Sequence, residues 1–215
     1  IIGVASVMVM MSIGEGAKAA IEKQISSVGT NVLTLQPGTM NRGGRNQGGG
    51  SGRPFSETDV TAVADLPFVE AAAGVLSGQA NAVSEEANWV TNIQGGTASF
   101  FEVNNWKVDE GRTFTEQEAQ GGAAVVVVGK TAAKNLFPTG NIVGQRIRIN
   151  NVPVEVIGVL ESKGQGGGGG MGPDRDDTLV GPLSMVRNRI TGGNRWVSRH
   201  VSRIQLLVQD EIGRA

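Results

Sequence analysis

The residues best able to do chemistry fall into a few short clusters, and each can be weighed by what its chemistry demands. Ala124–Thr131 reads AVVVVGKT, a strand followed by Gly-Lys-Thr and then a helical pattern. A phosphate-binding loop needs a glycine five residues before the Gly-Lys, so that backbone N–H groups can wrap the phosphates. Ala124 holds that position and Val125–Val128 is strand rather than loop, so Lys130 reads as a solvated residue at a helix start. Gly164, Gly166 and Gly169 match the dinucleotide spacing, but Met171-Gly172-Pro173 follows where a helix is required, and the stretch reads as a loop. Arg42-Gly43-Gly44-Arg45 has the composition of RNA-binding arginine–glycine segments. It occurs once and without interleaved aromatics, so no nucleic-acid partner is expected. Asp174, Asp176 and Asp177 could suggest a cation site. They lack the glycine and the glutamate at loop position 12 that a calcium loop uses, and Arg175 offsets their charge. Glu85-Glu86 and Glu116/Glu118 lie beside turn signals and read as solvated, since a catalytic carboxylate pair needs a cleft that raises one pKa. His200 has no triad partner placed by any motif and reads as structural. No catalytic, cofactor-binding or metal-ligating residue is therefore assigned.

Composition narrows the classes further. The 215 residues carry 19 basic and 20 acidic side chains, so no broad field points to nucleic acid or an anionic surface. The absence of cysteine removes disulfides, zinc–thiolate sites, iron–sulfur clusters and thiol catalysis, while the single histidine removes zinc sites of the two- or three-histidine kind. Of the 33 glycines, fourteen lie in two tracts, Gly38–Arg53 and Gly164–Gly172. The first of these is expected to be mobile. Trp89, Trp106 and Trp196 are scattered, as core or packing residues are.

The elements that must carry these clusters read as follows. Ile1–Ile13 is uncharged but too short to span a bilayer, which takes about 20 apolar residues. It is either the last half of a membrane helix or a buried core helix. The start at Ile1-Ile2 suggests a fragment or a processed product. Ile13, Ala17, Ala20, Ile21 and Ile25 continue at helical spacing, with Glu15, Lys18, Glu22 and Lys23 opposite and Gly29 as a C-cap. This is the pattern of a stalk leaving an apolar medium, although a plain amphipathic core helix would share it. Asn31–Gln36 alternates as a strand closed by Pro37-Gly38, and Ser56 caps a helix whose first turn is acidic. Val69–Asn81 and Ala87–Gln94 read as strands around Ser84-Glu85-Glu86, and Ala98–Val103 as a short helix. Val125–Val128 is a buried strand, Thr131–Leu136 a helix, and Gln145–Asn150 with Val152–Leu160 a hairpin across Asn150-Asn151. Thr178–Val180 is a short strand and Leu183–Arg189 a helix. Val201–Val208 is a last strand, with Ile204, Leu206 and Val208 on one face. Strands and helices mix without regular alternation, so the class is α+β.

Four stretches carry a resemblance. They are GVASVMVMMSIGEGAKAAIEKQISSVGTNVLTLQPG at 3–38, GRTFTEQE at 111–118, VVVVGKTAAKNLFPTGNIVGQRIRINNVPVEVIGVLESKG at 125–164 and LVGPLSMV at 179–186. In this order they are similar to the MacB-like family of ABC-type export permeases and its lipoprotein-releasing, FtsX-type relatives. The resemblance implies a periplasmic domain on the inner membrane of a bacterium, anchored by its N-terminal helix. It implies a mixed α/β porter-like part at 14–104 and 173–215, an inserted mostly-β sabre-like part at 105–172, and the end of a first transmembrane helix at 1–13. The family works as homodimers, with ATP and Mg²⁺ in a separate cytoplasmic ATPase domain, a membrane-fusion adaptor and an outer-membrane channel. The implied role is mechanical coupling and adaptor binding with no chemistry of its own. The stalk face Ile13, Ala17, Ala20, Ile21 and Ile25 would transmit motion or meet its symmetry mate. A lipoprotein-releasing permease is the nearest alternative, and a soluble hydrolase or nucleotide-binding enzyme a remote one.

Overall fold

The computed structural model describes residues 31–38, 41–42, 45–46, 54–138, 140–163, 174–191 and 200–208. The stalk face Ile13, Ala17, Ala20, Ile21 and Ile25, Trp196 and most of both glycine tracts lie outside the described residues. The chain first forms β1 (Val32–Leu35), β2 (Asn41–Arg42), β3 (Arg45–Asn46) and β4 (Phe55–Ser56). Then come α1 (Glu57–Ala64), β5 (Val69–Val83), β6 (Asn88–Gly96), α2 (Phe100–Val103), β7 (Val108–Gly111) and α3 (Glu116–Gly121). β8 (Val125–Val128), α4 (Lys130–Leu136), β9 (Arg146–Ile149), β10 (Val152–Leu160) and β11 (Thr178–Pro182) follow. α5 (Leu183–Met185) runs into a π-turn (Val186–Ile190), before β12 (His200–Val201) and β13 (Arg203–Val208) close the described chain. The α+β class holds.

Nine of these strands share one mixed sheet in the order β1-β13-β5-β6-β11-β8-β10-β7, with β9 joining β10 to β5. β5 is its spine. Its first half pairs with β13, its second half with β6 through the Ser84–Ala87 turn, and its far end, Ala82 and Val83, with Ile149 and Arg148 of β9. β5, β6, β11, β8, β10 and β9 therefore close a ring of six strands. Two asparagines make the last joint possible. Asn150 and Asn151 both take positive φ, 46° and 70°, which the two-residue β9–β10 hairpin requires and asparagine tolerates. Asn150 then donates its N–H to the Asn81 carbonyl at 3.0 Å and accepts from the Asn81 N–H through Oδ1 at 2.9 Å.

Both faces of the sheet are covered, which is why β8 can be four consecutive valines. Val126 and Val128 belong to a cluster with Ile93, Ile147, Ile149, Val154, Val156, Leu179 and the α4 residues Ala132, Ala133 and Leu136. Val127 points the other way, to Val75, Val180, Leu160, Phe100, Phe101 and Phe114. Phe101 meets Phe114 edge-on at 4.9 Å and Phe100 at 5.8 Å, a geometry that adds roughly 0.5–1.5 kcal/mol per pair beyond area burial.

The structure refines several expectations. Within the tract 38–53, Asn41–Arg42 and Arg45–Asn46 pair antiparallel, strands that the reading of the sequence did not propose. Leu183–Arg189 is helical as expected, but only Leu183–Met185 is α and Val186–Ile190 is π. The Thr191 N–H then bonds the Val186 carbonyl five residues back at 2.9 Å, so the last turn is π. Val186 is pressed there against Gly95, where an added Cβ would lie 2.8 Å from Val186 Cβ. Glu118 is not a solvated turn residue. It closes a capping box with Thr115 at the start of α3, and takes both ends of the Arg112 guanidinium at 2.7 and 2.8 Å. β7 had no counterpart in the reading of the sequence.

Candidate functional site

At Gly129-Lys130-Thr131 the start of α4 is already bonded to protein. The Gly129 N–H donates to the Thr178 carbonyl at 2.9 Å, and the Thr131 N–H to the Asp176 carbonyl at 3.1 Å. A Cβ at Gly129 would lie 2.3 Å from that same Asp176 oxygen, so the glycine serves close backbone approach. The donors a phosphate would need are engaged by the entry to β11. Lys130 is also not simply solvated. Its ammonium bonds Asp109 Oδ2 of β7 at 2.5 Å, and this raises its pKa.

The three aspartates, whose charge Arg175 was expected to offset, tie the sheet together. Asp176, 5% exposed, accepts from the Lys163 N–H at 2.8 Å and from the Ser162 hydroxyl. Asp177 Oδ1 accepts from Trp89 Nε1 at 2.9 Å and from the Thr91 hydroxyl at 2.6 Å. Asp174 Oδ1 receives the Asp176 N–H at 2.9 Å. The end of β10, the start of β11 and β6 are thereby pinned at one corner. Among the described residues no group of three or more histidines or carboxylates is placed to hold a metal ion. Nearby, Lys163 donates to the Asn104 carbonyl at 2.6 Å and lies 4.8 Å over the Trp106 ring. Its burial lowers its pKa. His200 opens β12 and pairs in register with Ser56, whose hydroxyl caps α1.

The reading of the sequence missed the side chains that form ion pairs over long separations, Arg187 with Glu57 at 2.6 Å and Lys130 with Asp109. Neither pair has a local signal, because the partners are 130 and 21 residues apart.

The two ends of the described chain meet. β1 and β13 are antiparallel neighbours, Val32 opposite Leu207, and the Val208 N–H bonds the Asn31 carbonyl at 3.0 Å. The segments before Asn31 and after Val208 thus join the sheet side by side, at its β1 edge. Among the described residues no helix is long and apolar enough to cross a membrane.

The structure is an α+β module built on one mixed sheet, whose first and last described strands are neighbours at one edge. The chain belongs to the MacB-like periplasmic core domain family, whose description matches residues 1–212. It is 39% identical over 196 residues to the macrolide export ATP-binding/permease protein MacB of Syntrophobacter fumaroxidans, covering 90% of this chain and 27% of that protein. The protein of the same name in Chlorobaculum tepidum is 35% identical over 193 residues, covering 89% and 29%. The chain thus spans less than a third of the length of these relatives. The periplasmic region of MacB from Actinobacillus actinomycetemcomitans superposes with a TM-score of 0.67 at 25% identity, covering 87% of this chain and 78% of that one. The extracellular domain of the noncanonic ABC-type transporter YknZ from Gram-positive bacteria shares the fold, with a TM-score of 0.62 at 19% identity over 83% and 84% of the two chains. This chain is accordingly a periplasmic domain of an ABC-transporter permease.

Proposed function

We propose that this domain is a mechanical coupler that carries motion from the membrane to periplasmic partners and performs no chemistry of its own. The adjoining of β1 and β13 at one sheet edge carries the reading. Displacement of the chain on either side of the domain reaches the same edge, and passes through β13 into β5, which spans 15 residues of the sheet. A ring of hydrogen-bonded strands transmits such a displacement as a rigid body, because its interior is close-packed and changes shape only by breaking contacts. ATP and Mg²⁺ belong, on this reading, to a separate cytoplasmic ATPase domain of an inner-membrane homodimer. A membrane-fusion adaptor and an outer-membrane channel receive the motion. The division into porter-like 14–104 and 173–215 and sabre-like 105–172 is part of the same proposal. Any bending between the two must occur within the sheet, since β8 pairs with β11 and β9 with β5 across those boundaries.

The helical face Ile13, Ala17, Ala20, Ile21 and Ile25 is the proposed input. Ala17→Cys and Ala20→Cys in the full-length transporter should cross-link between protomers to an extent that changes when ATP is added. Cross-linking that is the same in every nucleotide state removes the stalk from the mechanism.

A further inference from the structure

The near-balance of charge over the whole chain conceals a split. Residues 31–56 and 178–209 hold eight of the 19 basic side chains, all of them arginine, and none of the 20 acidic ones. The rest of the chain therefore carries eleven basic against 20 acidic side chains. The fold brings the two acid-free stretches together. The first starts on β1, with Leu35 opposite Ile204 of β13, and ends on β4, with Phe55 opposite Val201 of β12. The chain between, with Arg42 on β2 and Arg45 on β3, thus leaves and returns within the span 201–204. The second stretch is tied to the middle of β5. Cβ atoms added at Gly74 and Gly78 would meet Val201 Cγ1 at 3.0 Å and Thr191 Cγ2 at 3.6 Å. Arg189 is exposed and Arg203 half-buried, and neither is ion-paired among the described residues. The acids that follow β4 are engaged: Glu57 takes Arg187 at 2.6 Å, and Asp59 Oδ2 accepts the Ser56 N–H at 2.7 Å.

We infer that this arginine-rich side of the domain is a docking surface for an acidic segment of another periplasmic protein. Charges of one sign gathered on one side create a field that steers an oppositely charged partner and orients it. Guanidinium, unlike ammonium, is planar and takes a carboxylate through two parallel N–H bonds, so an all-arginine surface suits carboxylates held on a polypeptide. Lipid phosphate would satisfy the same groups, but the placement is wrong for it. The stretch bearing Arg42 and Arg45 attaches at the Ile204 end of the β1–β13 pair. The chain continues towards the membrane, on the coupling reading, from the opposite, Asn31–Val208 end. The inference rests on that reading, and gives the protein that receives the motion an acidic contact segment.

The test is a ¹H–¹⁵N NMR titration of the 215-residue chain in about 0.15 M salt, where exposed charges more than roughly 8 Å apart are screened. The probes are Glu-Glu-Ala-Glu-Glu-Ala amide and its uncharged counterpart Gln-Gln-Ala-Gln-Gln-Ala amide. The glutamate peptide should shift the amides of Ser56, Arg189 and Arg203 saturably, while the glutamine peptide leaves them in place. Arg42→Gln combined with Arg45→Gln should weaken that binding about threefold or more, with the melting temperature of the parent chain. Arg146→Gln combined with Arg148→Gln, on β9, should leave the affinity unchanged. Phosphatidylglycerol vesicles should sediment the parent chain and the Arg42/Arg45 variant alike; a difference between them reassigns the surface to lipid and overturns the inference. No saturable shift, an equal response to the glutamine peptide, or equal affinities in the two double variants overturns it as well. Peptide binding and the ATP-dependent stalk cross-link are read separately, so either reading can fail while the other stands.

Discussion

A methyl group added at Gly129 would sit 2.3 Å from the Asp176 carbonyl oxygen, far inside contact distance. Gly129→Ala should therefore cost about 1–3 kcal/mol of stability, the range for overpacking a filled site, as read by urea unfolding. A glycine kept only to wrap a phosphate would tolerate the change without loss of stability. The Arg112–Glu118 fork makes a separate prediction in pH. Its hydrogen bonds from Arg112, first, and from the Thr115 backbone lower the Glu118 pKa from 4.5 to about 2. A depressed carboxylate pKa adds stability that is complete above the unfolded value and is lost as pH falls through the folded one. Thermal melts should show the parent chain more stable than Glu118→Gln at pH 7, with the difference shrinking below about pH 4.5 and gone near pH 2. Because Arg112 is about half exposed, solvent screening keeps the gap small. At this scale the sequence was readable where chemistry has strict spacing requirements. Rejecting a phosphate loop needed only Ala124 and four valines. The partners of Lys130, Asp177 and Arg187 were not readable, because a side-chain contact across 21 to 130 residues leaves no local pattern.

Elements were legible in proportion to how one-sided their environment is. β13 alternates between buried and half-buried positions, so its inward face of Ile204, Leu206 and Val208 could be read directly. The capping box at Ser56 and the Asn150-Asn151 hairpin were equally plain, since both rest on backbone chemistry that few residues satisfy. β7 was invisible. Its residues Val108–Gly111 are half-buried to exposed and include two acids, so neither alternation nor β-branching marks it, and only the edge of β10 makes it a strand. The π-turn was hidden for a related reason: Val186–Ile190 has a helical composition, and the widened turn goes with the close seat of Val186 on Gly95. The hairpin gives the sharpest test at this scale. Asn150→Ala loses the bond to the Asn81 N–H and places alanine at positive φ, and should cost about 1–3 kcal/mol in denaturant unfolding. Asn151→Gly, at φ 70° and beside the Asn150–Asn81 bonds, should be neutral or slightly stabilising. Equal losses from both would mean that the turn conformation, not the Asn81 joint, holds β9 to β5.

At the scale of the molecule, the closed ring of six strands was beyond the reach of the sequence. Each strand has its own pattern, but which strand pairs with which depends on contacts between residues up to about a hundred positions apart. Parallel pairs such as β6–β11 and β8–β10 have no turn to announce them. The mixture of strand and helix patterns gave the α+β class and the family resemblance the periplasmic placement; the pairings supplied the reason the domain should move as one piece. That rigidity is the central claim, and it can be measured in the full-length transporter with spin labels on Leu33→Cys, on β1, and Val90→Cys, on β6, both exposed at 55% and 63%. Pulsed electron–electron spectroscopy should find the Leu33–Val90 distance within one domain unchanged by ATP, while the Val90–Val90 distance between protomers shifts with nucleotide state. A distance within the domain that changes with ATP, or a distance between protomers that never does, would contradict a rigid coupler driven from its β1–β13 edge.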